Sequence, residues 1–160
     1  FSSGQIGSLT TVQVTALGTA AVRGLTSLQI AALSTLQIPV LTTVQINALN
    51  ENQFGGVETR DIILLSTRQI SAISTIGIHG ISSTALQCLS TTAVRGFESF
   101  QIRALSSEQI RALTLPQLSA FSTATLRAFT SVQAAAFSSQ QLTALTGDGG
   151  LKLSTLLGRV

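Results

Sequence analysis

Apolar side chains return along this chain every eight residues, without an insertion, from residue 1 to residue 144. In blocks of eight from Phe1 the consensus is apolar, Ser/Thr, Ser/Thr, variable, Gln, Ile/Val/Leu, variable, Ala/Gly. Leu41-Thr42-Thr43-Val44-Gln45-Ile46-Asn47-Ala48 is a clear copy. Positions one and six are apolar in all eighteen octads, and Gln fills position five in twelve. Position eight is Ala, Gly, Ser or Cys in sixteen, with Val40 and Leu64 the exceptions. A fixed short period of this kind is the mark of a repeat architecture.

Each octad carries its own helix-start signal. Position two is Ser or Thr in fourteen copies, and Gln follows three residues later in most of these. This is the capping box, in which the hydroxyl accepts from the N3 amide and the Gln side chain accepts from the N-cap amide. Asn50 and Gly18 are also acceptable caps, whereas Glu58 and Glu98 are not. The pattern predicts a helix from position three to about position eight, then a restart. One continuous helix is excluded by arithmetic, since eight residues leave ~80° of drift per repeat and the apolar stripe would circle the axis. Pro39 would break such a helix, while Pro116, at position four, suits a first turn. A β-solenoid competes because Thr and Ile favour strands. Against it, positions one, six and eight do not alternate, and the Ala and Gln content disfavours strands.

The expectation is an all-α fold: a solenoid or superhelix of short capped helices, one per eight-residue repeat. A six-residue helix lies well below the ~12–15 residues that are marginal alone, so each must lean on its neighbours. Small residues at position eight should let successive helices approach closely. Positions four, five and seven show no longer period, which implies the same environment for every octad. Residues 1–144 form one solenoid of eighteen octads, and residues 145–160 a degenerate C-terminal capping segment with a turn at Gly147-Asp148-Gly149-Gly150. Residues 49–64 are a soft spot, with Asn50-Glu51-Asn52, the pair Gly55-Gly56 and a cluster of acids, which reads first as repeat drift and alternatively as a kink or contact surface.

Composition narrows the function classes. Charged residues make up 9% of the chain against about 25% in ordinary soluble proteins, so polarity rests on Ser, Thr and Gln. The net charge of +3 lies wholly in residues 81–160. The longest apolar run, 62–65, is far short of the ~20 residues that span a bilayer, so membrane insertion is not expected. Cys88 is alone and excludes an internal disulfide. The absence of an initiator Met and the start in full register suggest a segment of a longer protein.

No catalytic, cofactor-binding or metal-binding residues are expected, and the reading is that of a non-enzyme. His79, at position seven, has no partner at ligand spacing. Cys88, at position eight, reads as a buried packing thiol, and the serines are explained as caps. The candidate for recognition is position seven, where Arg95, Arg103, Arg111 and Arg127 recur and Arg23 takes the same slot earlier. In a uniform screw these would form one stripe able to meet phosphate, carboxylate or acidic glycan groups. The Phe residues at 97, 121, 129 and 137 sit at position one and read as packing.

The segment Leu-Ser/Thr-x-x-Gln-Ile/Val-x-Ala-Leu, seen at residues 33–41 with Pro39 intruding, resembles the opening of the repeats in TAL effectors. Their second helix and base-reading loop have no counterpart here, so the likeness stops at one capped helix. The tandem octad itself, as in residues 9–17 and 65–73, resembles the Leu-Thr-Thr-x-Gln-Ile-x-Ala-Leu arrays of very large bacterial repetitive proteins, some of them adhesins or calcium-binding secreted proteins. That resemblance implies a bacterial origin and a secreted or cell-surface setting. The expected function is a structural or interaction module, a spacer or display scaffold with a protein or cell-surface partner. The alternative is a solenoid that binds nucleic acid or another polyanion through the position-seven arginines.

Overall fold

A computed structural model describes residues 1–147. It is all-helical, with seventeen short α-helices and one 3-10 helix in tandem and no strand among the described residues. The helices keep the register of the octad. Those at Thr43–Ala48, Ser99–Ala104 and Ser107–Ala112 run from position three to position eight, and several others stop one or two residues earlier. The N-cap boxes form as the sequence predicts: in octad 9–16 Thr10 Oγ1 accepts from Gln13 N, and Thr10 N donates to Gln13 Oε1. Glu58 gives its helix no side-chain cap and turns to Arg60 instead. Glu98 departs from its expected failure in one respect, since its amide still donates to Gln101 Oε1 at 2.7 Å.

Pro39 acts locally. Its octad has no α-helix, only the 3-10 turn Ile38–Val40. Gln37 nevertheless accepts from Ser34 N at 2.7 Å, so the loss of one helix leaves the register intact.

Helices do not pack on their successors. The pairings join octads three apart, as between Glu51–Gly56 and Thr75–Gly80, or Ser83–Cys88 and Ser107–Ala112. This corrects the expectation that small position-eight residues admit the next helix. They admit the helix three octads earlier: a Cβ on Gly56 would lie 3.0 Å from the carbonyl carbon of Ser27, and one on Gly96 would lie 3.1 Å from that of Thr67. Between three and four octads therefore complete a turn, and consecutive octads sit roughly a quarter to a third of a turn apart.

Position six lines the interior from Ile6 to Leu126, with Ile6, Ile62, Ile78, Ile102 and Ile110 at 0% exposure, and is half-buried at Ala134 and Leu142. Position-one side chains complete the core. In the C-terminal half four of these are phenylalanines in edge-to-face contact, Phe97 on Phe121, Phe121 on Phe129 and Phe129 on Phe137, with centroids 5.0–6.3 Å apart. Of the expected capping segment 145–160, residues 145–147 continue the helix Ser139–Gly147, and the rest lies outside the described residues. Among the described residues no helix is long and apolar enough to cross a membrane.

Candidate functional site

Glutamine at position five does more than close a capping box. Its Oε1 accepts from the N-cap amide, which aims Nε2 at the preceding turn. Gln109 Nε2 donates to the carbonyls of Ile78 at 2.7 Å and Ile81 at 2.8 Å, residues 31 and 28 places earlier. Gln45 repeats this on Val14 and Leu17, Gln117 on Leu86 and Leu89, and Gln133 on Ile102 and Leu105. Gln29 reaches the carbonyl of Phe1. From Gln37 to Gln141 the bonds to the position-one carbonyl fall between 2.6 and 2.9 Å. One buried amide thus satisfies three backbone groups that water cannot reach, each of which would be costly to leave unpaired.

Six octads lack the clamp glutamine, and environments along the solenoid are therefore not uniform as the sequence suggested. At Gly77 the vacated space is filled by the ring of Phe54, whose atoms would lie 2.7 Å from an added Cβ. Ala85 and Ala93 are buried without side-chain donors. Thr125 shares a 2.8 Å hydroxyl contact with Ser122.

Asp61 is the anomaly. It holds the glutamine register with 2% exposure, and its Oδ1 has no hydrogen-bond partner. Arg60 Nε sits 2.8 Å from Glu58 Oε2 but 3.8 Å from Asp61 Oδ2. Burial pushes the Asp61 carboxyl above its ordinary value of 3.8; Arg60 opposes the shift and Glu58 adds to it. An acid raised in the folded state binds its proton more tightly there than in the unfolded chain. Its stabilising contribution is thus full at low pH and lost as pH climbs from 3.8 through the folded value. Replacing Asp61 with Gln is expected to raise stability by about 1–3 kcal/mol at neutral pH, by supplying a donor to the preceding turn. The same change should remove that pH slope. Thermal melts of both proteins from pH 4 to pH 7 in sodium-free buffer check this, and parallel curves would refute it.

The position-seven arginines are exposed, and none forms an ion pair among the described residues. Arg95, Arg103 and Arg111 belong to consecutive octads and therefore face successive sides of the solenoid, not a straight row. Arg127 follows on the next turn, and Arg23 lies far off near the other end. The geometry does not gather the five into one cluster. His79 is exposed, and among the described residues no group of three His, Cys, Asp or Glu side chains could hold a metal. Cys88 is exposed, contrary to the buried thiol expected. Its helix packs on Thr59–Ile62, a four-residue helix of the degenerate octad, which covers less of the facing wall.

Position four is exposed in every octad and position seven in nearly every one, Ala31 and Ser71 being half-buried. Large apolar side chains stand outward there, including Val12, Leu36 and Val132 at 74–77% exposure. The soft spot at 49–64 contributes a cleft of about 600 Å³ between octads 25–32 and 49–56, walled by Ser27, Ala31, Asn50, Asn52 and Gly56.

The family model described as the ALTTAQ repeat matches residues 1–35, 11–43, 78–115 and 116–147, well over half of the sequence. The chain belongs to the ALTTAQ repeat family. No curated protein and no solved structure matches it. Between 43 and 78, where no match falls, the ALTTAQ pattern is eroded in the very elements that set this stretch apart: the Gly55-Gly56 pair, Asp61 in place of glutamine, and Gly77 beneath Phe54. The clamp glutamines missed by sequence reasoning were visible there only as half of a capping box. Asp61 had a readable signal, being the one charged residue at position five.

Proposed function

We propose that this ALTTAQ segment is a non-catalytic structural module, a semi-rigid spacer and display scaffold within a larger secreted or surface-exposed bacterial protein. The supporting observation is the division of labour within the octad. Positions one, five and six are largely consumed in burial and in the glutamine clamp, whereas the two variable positions, four and seven, face outward. Sequence can change at those positions without touching the core, which suits a surface that meets a protein or cell-surface partner. The low charge and the hydroxyl-rich exterior fit an extracellular spacer, whose solubility then depends little on salt.

A spacer must lengthen in proportion to its repeats, because each turn contacts only the turns beside it. Inserting three and then six octads copied from residues 97–120 should give two equal increments in the maximum dimension measured by small-angle X-ray scattering, with helical content per residue unchanged. Unequal increments, or loss of folding on insertion, would sink the spacer reading.

A further inference from the structure

Asp61 stands between two intact clamps in the chain. In the octad before it, Gln53 Nε2 donates to Val22 O at 2.8 Å and Leu25 O at 2.7 Å. In the octad after it, Gln69 Nε2 donates to Pro39 O at 3.1 Å and Leu41 O at 2.8 Å. The same register sets Asp61 opposite the carbonyls of Ile30, Ala31 and Leu33, which lie 31, 30 and 28 residues earlier. An amide nitrogen would suit them. A carboxylate has no donor to offer, so the glutamine register would turn its oxygens toward acceptors it cannot bond. Asp61 Oδ1 is unpartnered and the residue is 2% exposed. Arg60 leaves Oδ1 unpartnered: its Nε lies 2.8 Å from Glu58 Oε2 and 3.8 Å from the other Asp61 oxygen, Oδ2. Aspartate is one methylene shorter than glutamine, so its carboxylate stops short of the position that the amide nitrogen takes in other octads.

We propose that Asp61 and the carbonyls of Ile30, Ala31 and Leu33 bind a small monovalent cation of the sodium class, in the place where other octads put a glutamine amide. An all-oxygen donor set selects a hard cation over soft transition metals. Asp61, Glu58 and Arg60 together carry a single net negative charge, which one monovalent ion balances, whereas a divalent ion would leave an excess. Ala31, the middle one of the three carbonyl residues, also lines the open cleft of about 600 Å³.

The test is thermal unfolding of the 160-residue chain at pH 7 in sodium chloride against choline chloride of equal ionic strength, so that screening is matched. Sodium should raise the midpoint by several degrees and saturate, as expected for a ligand bound only by the folded state. Asp61→Gln, or Asp61→Asn if the first variant folds poorly, should melt identically in both salts. Sodium-23 NMR should show line broadening with the parent chain that the variant abolishes. Equal midpoints for the parent in the two salts would overturn the proposal, as would a variant that responds as the parent does. Stabilisation by calcium chloride alone would overturn the monovalent assignment.

Discussion

Replacing Gln109 with alanine is expected to destabilise the chain by about 3–5 kcal/mol, a large share of the roughly 5–15 kcal/mol that holds a domain together. Three bonds go at once: the acceptance from Ser106 N at 2.9 Å and the donations to Ile78 O at 2.7 Å and Ile81 O at 2.8 Å. The residue is 4% exposed, so water cannot easily replace them. The orphaned groups lie on two different turns, and both lose an anchor. Glutamate at this position should be as damaging, since it keeps the shape and removes the donor. Urea unfolding of both variants measures the effect. A loss below about 1 kcal/mol in each would show that the clamp merely decorates a solenoid held by its apolar core.

Gly80→Ala should cost as much or more. An added Cβ would overlap the carbonyl oxygen of Glu51 and approach its carbonyl carbon to 2.8 Å and Phe54 Cβ to 2.9 Å. Backbone cannot rotate aside as a side chain can, so the helices Glu51–Gly56 and Thr75–Gly80 must separate. That separation would also unseat Phe54 from the space above Gly77. Overpacking of a tight core typically costs about 1–3 kcal/mol, and a contact against main chain belongs at or beyond the top of that range. A melting midpoint within a degree of the parent would contradict the close approach. Gly4→Ala, within a helix and with nothing nearer an added Cβ than Ser2 Oγ at 3.9 Å, is the matched control.

The local structure was legible because every signal for it is local. Hydroxyl caps, position-three starts, the failure of Pro39 to support an α-helix and the apolar interior at positions one and six all follow from spacing within a single octad. The number of octads in a turn was not legible, because a period of eight states where a helix begins but not which distant helix it meets. That missing integer also hid the meaning of position eight, which opposes main chain three octads back, and of the arginines, which a straight stripe would have gathered. Cys88 was misread for the same reason, since its exposure depends on the short helix Thr59–Ile62 and not on its own neighbours. The glutamine clamp lies between these cases. Its inner bond to the cap was expected, and its outer bond depends on the pitch.

Every clamp also points the same way along the polypeptide. Gln37, Gln69, Gln101 and Gln133 all donate to residues that precede them by about one turn, so each new turn is received by carbonyls already in place. A chain emerging from a ribosome or a translocation pore from its N-terminus can therefore fold as it arrives, with the finished part serving as template for the next 28–31 residues. The carbonyls of the newest turn wait only for the glutamines one turn on, so ordering can advance turn by turn at the rate of delivery.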